Sequence, residues 1–164
     1  MIEYKKAASE DLARIWDKKI IENPDDSRYI RWKAQFLADN ARGAAATFLI
    51  AADGEPVGEG TLIFSPDCRA IRGRACLCDG RRIANINNLR IEKEFEGQGH
   101  ISALVKTMER YAGSLGITML TIGVDAAETR NLGIYLHWGF VQFLMAEEED
   151  GALVLYYGKE LNHV

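Results

Sequence analysis

The chain has 164 residues, 48% hydrophobic and 27% charged, a balance that fits one globular domain over residues 1–164 with enough chain for a core. Its formal net charge of −4 argues against broad nucleic-acid binding, and the longest apolar run, AAATFLIAA from Ala44, is too short to cross a bilayer. The first residues, MIEYKK, hold no apolar stretch able to act as a secretory signal, so the expected compartment is the cytoplasm, with no membrane partner.

Ile2 to Lys6 reads as a short first strand. Ser9 opens a capping-box-like SEDL in which Leu12 stands where the acid belongs, and Leu12, Ile15, Trp16, Ile20 and the stem of Lys19 give the following helix one apolar face. NPDD breaks that helix, and Asp25, Asp26 or Ser27 can cap a second. There Tyr29, Ile30, Trp32, Lys33, Phe36 and Leu37 continue to about Asn40, with the aromatics expected in the core. Thr47–Ala52 and Pro56–Phe64 form a hairpin across Asp53-Gly54.

From Ser65 to Arg82 the period disappears. Arg69, Arg72, Arg74, Arg81 and Arg82 gather here, so the stretch is either a solvated loop (or small hairpin) or a basic rim for an anionic group. Cys68, Cys76 and Cys78 lie in the same region, an odd set that points to reduced thiols rather than a disulfide framework. His100, His137 and His163 are scattered and lack ligand spacing to the cysteines, so no metal is expected.

Ile83 to Ile91 alternates imperfectly as a strand. The turn EKEFEGQG follows, and then a helix whose Ile101, Leu104, Val105, Met108, Ala112 and Leu115 share one face until Gly116 stops it. Gly97 and Gly99 allow a sharp turn and close approach to a ligand, and the helix start offers unpaired amides and the positive end of a dipole. Together these make an anion site, most naturally for phosphate. The turn is neither a Walker loop nor a dinucleotide fingerprint, and by itself is equally a tight strand-to-helix connection. Met119–Val124 is a buried strand, Ala127–His137 a short helix, and Phe140–Glu147 with Ala152–Lys159 a closing hairpin whose EEEDG tip stands in solvent.

LRIEKEFEGQGHISALV resembles motif A of the GNAT superfamily of N-acetyltransferases, and GVDAAETRNLGIYLHWGF resembles its motif B, in the family's order and spacing over roughly the last half of the chain. The resemblance implies an α/β (α+β) single domain: a mixed, mostly antiparallel sheet with splayed central strands and helices on both faces. It implies acetyl-CoA (coenzyme A) as co-substrate. The pantetheine arm would pair with the backbone of Leu89, Arg90 and Ile91, as an added strand does. The pyrophosphate would lie on the turn of Glu96, Gly97, Gln98, Gly99, His100, Ile101 and Ser102, held by backbone amides and the Ser102 hydroxyl. Asn131 would bond the pantetheine amides, and Tyr135 would protonate the departing thiolate as general acid.

The general base stays open. Asn85, Asn87 and Asn88 occupy the strand where the family often carries a carboxylate, and amides do not accept a proton at neutral pH. A water relay, Asp79, Asp125 or Glu128 could serve. Glu96 stands where the family prefers Arg or Gln, and Ile101 where it prefers Gly or Ala; His100 reads as a solvent-facing loop residue. The implied activity is acetyl transfer to a primary amine of a small molecule or peptide, by a monomer or homodimer. The rivals are an acyl-CoA-binding sensor of the same fold with little turnover, and a phosphate-binding module unrelated to coenzyme A.

Overall fold

A computed structural model describes residues 1–162. Among these the elements run β1 (Ile2–Lys6), α1 (Ser9–Glu22), α2 (Arg28–Ala41), β2 (Ala45–Ala52), β3 (Glu55–Ile63), β4 (Ile83–Ile91), α3 (His100–Ser114), β5 (Met119–Asp125), α4 (Thr129–His137), β6 (Gln142–Glu149) and β7 (Ala152–Glu160). The strands make one mixed sheet in the order β1-β2-β3-β4-β5-β7-β6. The β1–β2, β5–β7 and β6–β7 pairs are antiparallel, and β4 runs parallel to β5 over Ile83–Ile86 and Met119–Ile122. This is the expected α+β sheet, its parallel pair joined through α3 as a parallel crossover requires. No helix among the described residues is long and apolar enough to cross a membrane, and His163 lies outside those residues. The chain divides into two compact units, Met1–Thr61 with Asn88–Thr107, and Leu62–Asn87 with Met108–Val164.

In the first unit β1 pairs with β2 from Ile2–Ala52 to Lys6–Phe48. The start of α1 is offset by one residue from its sequence signal. Ala8 is the N-cap, and Asp11 reaches back to accept its amide at 3.2 Å, so the acid of the capping box is Asp11 and Leu12 is freed for the core. Leu12, Ile15 and Trp16 are buried, and the Trp16 ring meets Phe36 at 4.9 Å and Tyr29 at 6.4 Å. Asp26 takes the Arg28 amide at 3.1 Å and its guanidinium at 2.8 Å, which holds the carboxyl below its ordinary range. The aromatics of α2 are half-buried rather than core. Tyr29, Trp32 and Phe36 form one stripe, whereas Ile30, a step round the helix, is 60% exposed. Asn40 brackets the entry to β2, accepting the Thr47 amide at 2.9 Å, and the Thr47 and Thr61 hydroxyls meet at 2.9 Å.

In the second unit the stretch between β3 and β4 is not a solvated loop. Cys68, Ile71, Leu77 and Cys78 are buried, on successive turns in which Ile71 bonds back to Cys68, Arg74 to Ile71 and Leu77 to Arg74. The backbone bonds therefore step by three residues, a turn period that neither a strand nor an α-helix pattern reveals. Nor do Arg72 and Arg74 form a basic rim. Arg74 stacks on Tyr156 at 5.0 Å and donates to Glu147 at 2.6 Å, Arg72 pairs with Glu149, and the Tyr156 hydroxyl donates to Glu149. The acidic hairpin tip is thus half-engaged instead of standing wholly in solvent. β6 begins two residues later than expected because Phe140 is drawn into the core. It is one of the two edge strands, with a register shift between Phe143 and Met145 and with Phe143 and the preceding Val141 exposed.

β5 is buried at Leu120, Thr121, Ile122 and Val124, as a central strand must be. Its Gly123 lies under the Tyr156 ring, where a Cβ would stand 2.7 Å from a ring carbon. Gly123→Ala should therefore destabilise the fold by about 1–3 kcal/mol, the usual cost of overpacking. Chemical denaturation measures it, and an unchanged midpoint would mean that Tyr156 moves aside freely.

Candidate active site

After Ile91 the first unit continues through Glu92, a short 3-10 turn at Lys93–Phe95, and Glu96 into Gly97, Gln98 and Gly99. Gly97 and Gly99 have φ of 72° and 82°, the left-handed region that a side chain adopts only with strain. The first helical bond of α3 runs from the Ala103 amide to the Gly99 carbonyl at 3.1 Å, which leaves the preceding amides without a helical acceptor. Among the described residues the Glu96 carboxylate has no ion pair, and it is exposed.

His100 is not the solvent-facing loop residue that the sequence suggested. It is the first residue of α3, half-buried, with Nδ1 2.8 Å from the Tyr4 hydroxyl and Nε2 3.2 Å from Gln98 Oε1. A neutral ring protonated on Nε2 donates to Gln98 and accepts from Tyr4, so both contacts are satisfied. Gln98 in turn donates to the Glu94 carbonyl at 3.2 Å. The glycine turn is thereby braced by side chains, while its amides have no acceptor among the described residues.

Arg90 and Asn88 turn toward a residue that the sequence reading passed over. Glu59 on β3 is 1% exposed and accepts from Lys19 Nζ, Asn88 Nδ2 and Arg90 Nε. Burial lowers the Lys19 pKa, against the opposing pull of Glu59. The signal available was a single acid inside the otherwise uncharged VGEGTLIF.

In the second unit Asp125 accepts the Ala127 amide at 2.9 Å, and Glu128 is the N-cap residue of α4. Asn131, one turn on, donates to Glu128. Tyr135 is half-buried with its ring 5.7 Å from Trp138, and its hydroxyl makes no hydrogen bond among the described residues. The GF tail fixes its backbone. Gly139 at φ 101° lets the Phe140 amide reach the Tyr135 carbonyl at 3.0 Å, and Phe140 is fully buried beyond it.

The candidate bases separate clearly. Asn85 is buried and donates to Thr121 Oγ1 at 2.9 Å, while Asn88 is committed to Glu59. Asp79 accepts the amides of Arg81, Arg82 and Ile83 at 2.8, 2.8 and 2.9 Å, leading the chain into β4. Burial works to raise its pKa, but those amides outweigh it and the net shift is downward, which makes it a weak proton acceptor.

The chain matches the family model described as Acetyltransferase (GNAT) family over residues 9–140. No curated protein matches it. Among solved structures, yncA from Salmonella typhimurium with its cofactor acetyl-CoA is 10% identical, with 100% of this chain and 96% of that one covered and a TM-score of 0.72. A ribosomal-protein-alanine N-acetyltransferase from Brucella melitensis is 15% identical, covering 97% and 99% of the two chains, TM-score 0.70. A chimera of the spermidine N-acetyltransferase SpeG from Vibrio cholerae and hSSAT is 18% identical, covering 98% and 95%, TM-score 0.70. At these identities the likeness is one of fold.

The Tyr135 phenol titrates above an ordinary tyrosine, first because burial disfavours the phenolate and second because Glu128 repels it. Subtracting the Tyr135→Phe tyrosinate titration from that of the wild type should leave one ionisation above pH ~10. The raised folded value also means that its contribution to stability is complete below pH ~10 and is lost as pH climbs through the folded pKa. A difference ionisation at or below pH ~10 would show the ring to be solvated.

Proposed function

The chain belongs to the GNAT acetyltransferase family, and on that premise we propose that it moves the acetyl group of acetyl-CoA to a primary amine by direct attack in a ternary complex. The observation that carries this reading is the Tyr135 hydroxyl, which stands at the tyrosine position of the family motif without a hydrogen-bond partner among the described residues. Burial keeps that phenol protonated at neutral pH, the form a general acid needs.

Acetyl-CoA supplies the thioester; the chain supplies position and protons. The amides from Gly97 to Ser102, with the Ser102 hydroxyl, bind the pyrophosphate, and Glu96, Gln98, His100 and Ile101 shape that turn. The backbone of Leu89, Arg90 and Ile91 pairs with the pantetheine arm, and Asn131 bonds its amides while keeping Glu128. As the amine nitrogen forms its bond to the acetyl carbon, the carbon–sulfur bond breaks and Tyr135 gives its proton to the thiolate. The proton released by the amine passes through water and restores the Tyr135 phenol, since Asp79 is held by three amides, Asp125 accepts the Ala127 amide and Glu128 holds Asn131. The whole chain works as one domain in the cytoplasm, as a monomer or homodimer, on a small-molecule or peptide amine. Proteins of similar fold named for spermidine and for a ribosomal-protein alanine bracket that acceptor class.

Thiol release from acetyl-CoA against an amine panel, alongside calorimetry with coenzyme A, tests the reading. Binding without release on any amine would favour the acyl-CoA sensor instead. Within the enzyme reading, Tyr135→Phe should cut turnover ~10²–10⁴-fold and leave coenzyme A affinity close to wild type. Wild-type turnover in that variant would reduce Tyr135 to a packing residue.

Glu96 supplies a second measurement, since its carboxylate, without an ion pair among the described residues, lies three residues before Gly99 at the start of α3. Two unit charges ~6 Å apart at an effective dielectric of ~20 interact by roughly 3 kcal/mol before salt screens them. Glu96→Gln should tighten coenzyme A binding modestly and Glu96→Arg further, with both gains shrinking as salt rises. Weaker binding by both variants would refute the electrostatic account.

A further inference from the structure

Three consecutive residues of β3 fix the last part of β4. The Val57 carbonyl accepts the Glu92 amide at 2.8 Å. Gly58 has no side chain, and a Cβ there would stand 3.0 Å from the Arg90 carbonyl oxygen and 2.8 Å from Ile50 Cδ1, so the two backbones approach more closely than any other residue permits. Glu59 then takes Asn88 Nδ2 and Arg90 Nε, each at 3.1 Å, on the same oxygen that meets Lys19.

Asn88 is where β4 departs from a regular strand. Its φ is 54°, a left-handed backbone inside a strand, which asparagine tolerates better than most residues but still at a cost. A charge-assisted hydrogen bond is about twice as strong as a neutral one, and Glu59 provides it from a site 1% exposed, where water does not compete. Arg90, two residues on, is held by the same carboxylate.

We infer that Glu59 is a positioning residue for the cofactor strand: it holds Asn88 in the left-handed turn and Arg90 against β3, and so sets the course of the Leu89–Ile91 backbone that pairs with the pantetheine arm. The inference rests on the acetyl-CoA reading above. Glu59 itself touches no reacting atom. It acts through β4.

The test measures coenzyme A binding by calorimetry on the intact chain. Glu59→Gln keeps the shape but removes the charge, and should weaken binding roughly tenfold, the size of one hydrogen bond to a charged group. In the double variant Glu59→Gln with Asn88→Gly, glycine adopts the left-handed turn unaided, and most of the lost affinity should return. A merely structural Glu59 predicts no such rescue. Equal affinity in wild type and Glu59→Gln overturns the inference, as does a folded double variant that binds no better than Glu59→Gln. If Glu59→Gln does not fold, Asn88→Ala takes its place: a loss of affinity supports the inference and wild-type affinity overturns it. A wild-type chain that binds no coenzyme A overturns the acetyl-CoA reading, and the positioning role with it, a result distinct from all the others.

Discussion

A carboxylate withdrawn from water must find its hydrogen bonds inside the protein, and Glu59 finds them on two other elements of its unit. Lys19 comes from α1, and Asn88 and Arg90 come from β4. Breaking such a buried set leaves uncompensated charge, which is far costlier than never having built it. The helix, the hairpin strand and the kinked strand therefore cannot shift independently. Gly58 and Glu59 act as complements, one admitting the β4 backbone and the other gripping its side chains.

The turn beyond β4 is built on the opposite principle. Among the described residues its amides from Gly97 to Ser102 have no acceptor, while Gln98 and His100 beside them are paired. Tyr4, His100, Gln98 and the Glu94 carbonyl form a chain of contacts from β1 to the 3-10 turn. Under the acetyl-CoA proposal, a turn braced in this way would need little ordering on binding. The same division appears around α4, where Phe140 and Gly139 fix the Tyr135 backbone while the phenol keeps its hydroxyl unengaged.

Most of the strand and helix order was legible from the hydrophobic periods, and the tight turn before α3 from Gly97 and Gly99, both of which adopt a positive φ. The short helix that carries Tyr135 was legible through the flanking YLHWGF. What stayed hidden was long-range pairing. Glu59 meets partners 40, 29 and 31 residues away, and nothing local marks it beyond a lone charge in an apolar strand. The segment from Ser65 to Arg82 was misjudged because its backbone turns step by three residues, and because Arg72 and Arg74 find Glu149 and Glu147 more than seventy residues on. His100 looked idle because its partner, Tyr4, lies at the other end of the unit's sequence.

One of the two edge strands has a consequence for how the molecule keeps company in concentrated solution. β6 leaves one row of backbone groups without a strand beyond it, and Val141 and Phe143 are exposed at its start. A flat, apolar border of that kind templates strand-by-strand growth into aggregates. Here the register shift between Phe143 and Met145 bends the border, and Glu147, Glu148 and Glu149 charge its far half. Glu147 and Glu149 are engaged by Arg72, Arg74 and Tyr156, so exposed Glu148 is the gatekeeper: a strand docking on that half would have to bury its charge.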